Sequence, residues 1–449
     1  MRVISAILSL LLCSAAVSAA NAQELASEVA ELRTLLTAVQ NDYEARISDL
    51  ETRLARAEQL ASGAKRDATE AFEIAEQTAI EQSSGTTAAN TYNPAVGAVL
   101  SGRYASVDQA WDEIPGFQPA GEIGTGESGF ALGEVEINLN ASIDDRYFGN
   151  LTFALHDDGG EVAVELEEAW AQTTGLPAGF SLTGGRFFSA AGYLNSFHPH
   201  SDDFVDRPLP YQAFYGGQYR VDGVQARWIA PTSLLFELGT ELNWGSGFPA
   251  SSTAETSPGA YTLFAKLGGD VGFSNSWQVG ASFISADAVE RGGGHHDDEE
   301  LAETFTGDSD LAAVDFVWKW APDGNSGRRS LKLQGEYFSR SESGEFGALP
   351  YDGDQTGWYV QGVWQFAPQW RIGLRHDVVD ADNNPELAGT ELEGPEQSPS
   401  RDSLMFDWSP SEFSRVRLQY TNDRVLSGTD HQWFVQYVMS LGAHGAHQF

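Results

Sequence analysis

GEVEINLNA, residues 133–141, sorts its side chains by parity. Val135, Ile137, Leu139 and Ala141 share one side of an extended chain, while Glu134, Glu136, Asn138 and Asn140 share the other, because successive side chains of a strand point to opposite faces. The same division returns in LLFELGTELNW, residues 234–244, and in SRVRLQY, residues 414–420. Such a strand suits a sandwich or a barrel, and alternation alone does not choose between them. Strand number and connection length do.

About sixteen segments of this kind follow one another, beginning near Ala95, Gly129, Tyr147, Glu161, Phe180, Gly217, Leu234, Ala260, Ser276, Asp310, Ser330, Gly357, Trp370, Asp402, Ser414 and His431. Short connections such as IDDR (143–146), APTS (230–233) and APQ (367–369) mostly alternate with long ones at 106–128, 189–215, 245–258, 288–308, 342–354 and 381–400. An even strand number with short turns at one rim and long loops at the other predicts an all-β transmembrane fold: an antiparallel outer-membrane barrel of about sixteen strands. Tryptophans near many strand ends, among them Trp228, Trp244, Trp364, Trp408 and Trp433, suit the aromatic girdles of such a barrel. No run of about 18 apolar residues follows the first segment, so a closed barrel is the remaining way to span a bilayer.

Ahead of the strands the period changes. The first residues carry one positive charge at Arg2, an apolar run from Val3 to Leu12 and small residues up to Ala22, which is the pattern of a cleaved signal peptide over 1–22. Cys13, the chain's single cysteine, lies inside it, so the mature chain has no thiol. Across 23–82, Leu25, Val29, Leu32, Leu36, Val39, Tyr43, Ile47, Leu50 and Leu54 repeat in steps of three and four. That spacing predicts an N-terminal α-helical coiled coil, lying in the periplasm if the termini meet the short-turn rim. Residues 83–94 read as a linker and 95–449 as the barrel. One coil strand per barrel suggests a homotrimer, and the terminal Phe449 suits recognition by the outer-membrane assembly machinery. Lipid and lipopolysaccharide are the expected surroundings, in a Gram-negative outer membrane.

A formal charge of -38, from 26 basic against 64 acidic residues, argues against nucleic acid and should draw cations. The inward parity presents Glu134, Glu136, Glu165, Glu167, Glu237 and Glu241 on early strands, and Lys332, Arg340, Arg371, Arg375, Arg415 and Arg417 on later ones. Opposed acidic and basic walls set a transverse field that filters small polar solutes. The third long connection, the one expected to fold into the lumen of a sixteen-stranded barrel and narrow its pore, falls at 189–215 and holds FHPHSDDFVD, residues 197–206, followed by Arg207.

LTGGRFFSAAGYLNSFHPHSDDFVDRPLPYQAFYGGQYRVDGVQARWIAPT (182–232) and the closing QYVMSLGAHGAHQF (436–449) resemble the zinc-regulated outer-membrane receptors of proteobacteria. That group is often labelled TonB-dependent and is distantly similar to the phosphate-selective porins. HPHSDDFVDRPLPYQAF (198–214) is the most specific element. The resemblance implies a membrane barrel with a zinc association. A TonB-dependent receptor, however, needs about 22 strands and a plug, and nothing before Ala95 supplies one. A phosphate-selective constriction should be lined with Arg and Lys, whereas this loop offers Arg207 beside Asp202, Asp203 and Asp206.

Imidazole with carboxylate is ligand chemistry for Zn²⁺, Cu²⁺ or Ni²⁺. His198 and His200 either contact a divalent cation in passing or hydrogen-bond to the barrel wall and lock the loop, leaving Asp202 and Asp203 facing the pore. A tight site would need ligands from elsewhere in the loop or wall. In RGGGHHDDEE (291–300), His295, His296, Asp297 and Asp298 on a glycine-rich loop suggest loose divalent binding. No resident cofactor is expected beyond a weakly held Zn²⁺ or other divalent cation. No catalytic motif appears, so no enzymatic activity is expected. The sequence therefore points to a passive channel for small polar solutes that prefers cations and is associated with divalent metal uptake. The alternative is a structural anchor that ties the outer membrane, through the coil, to peptidoglycan or a periplasmic partner.

Overall fold

The computed structural model describes residues 94–118, 123–158, 161–244, 247–250, 257–292, 303–322 and 324–442. The expected signal peptide, coiled coil and most of the linker lie outside these residues, as do His295, His296, Asp297, Asp298 and Phe449. The strands are β1 (Ala95–Ser106), β2 (Gly129–Ser142), β3 (Tyr147–Asp158), β4 (Glu161–Thr173), β5 (Phe180–Phe188), β6 (Arg220–Ile229), β7 (Leu235–Asn243) and β8 (Ala260–Val271). They continue as β9 (Asn275–Arg291), β10 (Phe305–Trp320), β11 (Ser330–Phe346), β12 (Leu349–Ala367), β13 (Trp370–Asn383), β14 (Ser400–Ser411), β15 (Ser414–Arg424) and β16 (Asp430–Gly442). Every strand pairs antiparallel with its chain neighbours and β1 closes on β16, giving a barrel with no free edge.

The expected parity holds in the wall. Leu238, Leu242, Leu263, Leu404 and Leu418 are exposed outward, whereas Glu136, Glu237, Glu241, Arg375 and Arg417 are buried inward. Among the described residues no helix is long and apolar enough to cross a membrane; the strands carry the apolar belt instead. Outward aromatics gather near both rims. Trp370 stacks on Trp408 at 5.8 Å near the short turns, while Tyr104 meets Phe130 at 4.8 Å and Tyr420 meets Trp433 at 4.9 Å toward the long loops.

One expected long connection is absent. Residues 342–354 form the top of a tall hairpin, with β11 and β12 in unbroken register from Ser330↔Gln365 to Phe346↔Leu349. Inward Phe346 and Tyr351 pack on Phe305 of β10 and on Leu387 and Leu392 of the β13–β14 connection. That burial keeps residues which read as loop in the sheet. β10 likewise starts at Phe305, ahead of Asp310.

The connection between β5 and β6 turns into the lumen. Its helix α1 (Leu209–Tyr215) has all seven residues buried. Leu209, Tyr211, Phe214 and Tyr215 join Trp111, Ile114 and Phe117 of the β1–β2 connection and wall residues Phe338, Tyr359 and Val379 in one apolar cluster. The barrel thus carries a core inside its lumen. Asp377 accepts the Leu209 N–H at 2.9 Å, meeting one free donor of the helix start, and Gly216 at φ 59° ends the helix in the left-handed conformation.

Candidate functional site

The lumen loop spans from a basic wall to an acidic one, and each side has its own chemistry. Toward β11–β14, Asp203 pairs with Lys332 and, at 2.9 Å, with Arg371. Asp206 lies 3.0 Å from Arg375 and 2.6 Å from Arg401, and accepts from Gln419 at 2.6 Å. Asp202 pairs inside the loop with Arg207 at 2.8 Å. Behind them Asp377 holds Arg375 and Arg401, and Asp407 holds Arg371. Asp202 and Asp203 are each only 6% exposed, so they do not face the pore as the loop-locking alternative had them. The physical reason is the wall itself: its arginines and lysine outnumber the wall carboxylates Asp377 and Asp407 and would be under-compensated in a low-dielectric lumen without the loop's own. Burial raises the Asp206 pKa, but Arg375 and Arg401 outweigh it and hold the group down to about 2. Lys332 and Arg371 likewise overcome burial and keep Asp203 below the usual carboxylate range. For Asp202 burial wins over Arg207 and pushes it up to about 6.

Toward β2 and β4 the loop presents its histidines. His198 adopts the extended conformation a residue before proline prefers, and a single 3-10 turn over Pro199–Ser201 brings His200 alongside, ring centroids 5.6 Å apart. Both Nδ1 atoms approach Glu136 Oε2, at 3.1 Å from His198 and 3.0 Å from His200. Glu167 Oε2 lies 3.5 Å from His198 Nδ1, and Glu168 Oε2 lies 3.1 Å from His198 Nε2. Burial opposes protonation of His198, yet Glu136, Glu167 and Glu168 raise its pKa well above the imidazole range.

Two adjacent glutamates share the lumen because β4 bulges. Thr152 pairs with Glu168 and the next residue, Phe153, pairs with Leu166, leaving Glu167 as the extra residue. Strict alternation admits Glu167 and excludes Glu168, so Glu168 was missed; no residue type in ELEEAW marks the bulge. Glu168 is fixed by Asn150 at 3.1 Å and by the Trp170 indole at 2.9 Å.

Glu241 accepts from Ser189 Oγ and the Ala190 N–H, pinning the start of the loop, while Glu237 lies 3.6 Å from Arg227. Arg415 donates to the His200 carbonyl and Arg417 to the Asp202 carbonyl. The Glu134 side chain lies outside the described residues. Glu336 was also missed: it accepts from the N–H groups of Tyr193 and Leu194 and from the hydroxyls of Tyr211 and Tyr359. Its inward parity was readable, but its partners were not. Between the loop and the short-turn rim, beside β1–β8, a cavity of about 410 Å³ is lined by Glu136, Asn138, Asn150, Glu168, His198 and Lys266 among others.

No known family profile matches the chain. An uncharacterised protein of Aquifex aeolicus (strain VF5) is 31% identical over 347 residues, covering 72% of this chain and 70% of that protein. Among solved structures, a loop L8 deletion mutant of OmpT, an outer membrane protein of Vibrio cholerae, aligns over 78% of this chain and 99% of its own, with TM-score 0.51 and 12% identity. The outer membrane channel DcaP of Acinetobacter baumannii aligns over 80% of this chain and 99% of its own, with TM-score 0.51 and 12% identity. The likeness is one of fold: a porin-like outer-membrane barrel.

Proposed function

The chain belongs to one family with the Aquifex aeolicus protein, and from its porin-like lumen we propose that it is a passive outer-membrane channel for small polar solutes that prefers cations, divalent zinc among them. The distribution of charge supports this reading. Arg371, Arg375 and Arg401, which would otherwise attract anions, are engaged by Asp203, Asp206, Asp377 and Asp407. Glu136 and Glu168 line the cavity with His198 instead, with Glu167 3.5 Å from His198 and His200 3.0 Å from Glu136. Arg227 and Lys266 also line that cavity, but Arg227 faces Glu237 at 3.6 Å and Lys266 sits against the Phe264 ring. A net charge of -38 over the whole sequence adds a long-range attraction for cations. Single-channel recording across a potassium chloride gradient checks the reading. The reversal potential should have the sign of cation preference, and the opposite sign rejects it.

A further inference from the structure

Three donor atoms meet beside the cavity, His198 Nδ1, His200 Nδ1 and Glu136 Oε2, with Glu167 Oε2 next to the first. The separations from Glu136 to the two imidazole nitrogens are 3.1 and 3.0 Å, and His198 to Glu167 is 3.5 Å. The Glu136, His198 and His200 donors all lie within 4.8 Å of one another. Donors about 2.0–2.2 Å from a tetrahedral ion stand roughly 3.3–3.6 Å apart, close to what these atoms show. Despite that proximity, Glu136 Oε2, Glu167 Oε2 and His198 Nδ1 are buried without hydrogen-bond geometry to any partner. They meet at ion-pair distance only, and buried polar atoms left without hydrogen-bond geometry are rare.

The surroundings are built for an ion as well. Bulging β4 turns Glu167 and Glu168 inward together, a use to which β-bulges are put beside functional sites. Glu168 takes the other nitrogen of His198, Nε2, at 3.1 Å. A carboxylate behind a ligating histidine sets its tautomer and ring orientation.

We infer that His198, His200 and Glu136 form a binding site for one divalent transition-metal ion of zinc type, with Glu168 as the positioning residue behind His198 and the Glu167 carboxylate adding negative charge beside it. Two imidazole nitrogens and a carboxylate oxygen suit borderline cations and disfavour Ca²⁺ and Mg²⁺, which take oxygen alone. Two ligands come from the lumen loop and one from the wall, so the ion clamps the loop to β2. The inference deepens the channel reading and rests on it for the ion's route to the site.

Zinc chloride titration by calorimetry tests it, with full-length protein stripped by chelator and held in detergent. The histidines at 295 and 296 are replaced by alanine in every sample, so that the glycine-rich loop does not contribute. One ion per chain is expected. His198→Ala with His200→Ala should abolish binding, Glu136→Gln should weaken it at least 10-fold, and Glu168→Gln should weaken it by about 10- to 100-fold. Zinc absorption spectra should show two imidazoles in the shell, lost with the histidines. No binding by the parent, or binding unchanged in the histidine variant, overturns the site. Should the histidine variant fail to fold, as judged by heat-modifiable gel mobility, the near-isosteric Glu136→Gln decides alone. Conductance recorded in parallel separates the two readings: a conducting protein without zinc binding defeats only the site, and a binding protein without conductance defeats only the channel.

Discussion

Asp206 shows how much one side chain in the lumen can hold. It joins Arg375 and Arg401, both nearly fully buried, and receives the Gln419 amide. Removing one partner of a buried pair leaves charge without compensation, typically about 3–5 kcal/mol. Asp206→Ala should fall toward the lower end, because Asp377 still holds both arginines; hydrogen exchange across 198–215 should rise, with the barrel intact on a gel. The pH dependence has a definite sign. The docked-loop pKa of about 2 lies below the ordinary aspartate value, so this stabilisation is complete above about pH 4 and is lost as pH falls toward 2. Asp203 shifts the same way. Exchange across the loop should thus be flat from pH 7 down to about 4 as far as these two groups set it, and should climb below. A rise already complete at pH 5 would contradict the pairing.

Two elements depart from ideal strands, and both departures can be tested. At the β4 bulge, deleting Glu167 should leave a regular strand, since Glu165 pairs with Ala154 and Glu168 with Thr152 on either side of it. The barrel should keep its heat-modifiable mobility while the lumen loses one carboxylate. Inserting an alanine elsewhere in β4 should instead turn one part of the strand to the wrong face and hinder assembly. Where α1 meets β12, a Cβ on Gly357 would stand 2.8 Å from the Phe214 ring, 3.0 Å from Val379 and 3.2 Å from Pro210. Gly357→Leu should displace the helix at a cost of about 1–3 kcal/mol, with single-channel conductance raised. Unchanged conductance would mean that α1 does not narrow the path. None of this was visible in the alternation: Gly357 reads as an ordinary inward position, and the tall β11–β12 hairpin reads as a loop because its inward Phe346 and Tyr351 break the polar-inside rule.

At the scale of the whole barrel, sixteen strands with one apolar face make a wall, and the connections fill it unevenly. Loops after β1, β5 and β13 pack over the β9–β13 side, while the open cavity lies beside β1–β8. Solutes are therefore expected to pass along the acidic side. Truncation of 23–82 separates the channel from the anchor alternative: conductance of the shortened protein should match the full chain under the channel reading. Loss of envelope integrity together with a non-conducting full-length barrel would favour the anchor.

Strand count, inward parity and the place of the lumen loop were legible in the order of residues, because a two-residue period and turn chemistry are local properties. The loop's aspartates and histidines were legible as chemistry but not as contacts. Asp203 and Arg371 stand 168 residues apart, and which carboxylate finds which cation follows from barrel closure and shear, not from neighbours in the chain. The second glutamate beside His198 depends on one unpaired residue in a ladder. A bulge is settled by how two strands meet, and no single strand carries that information.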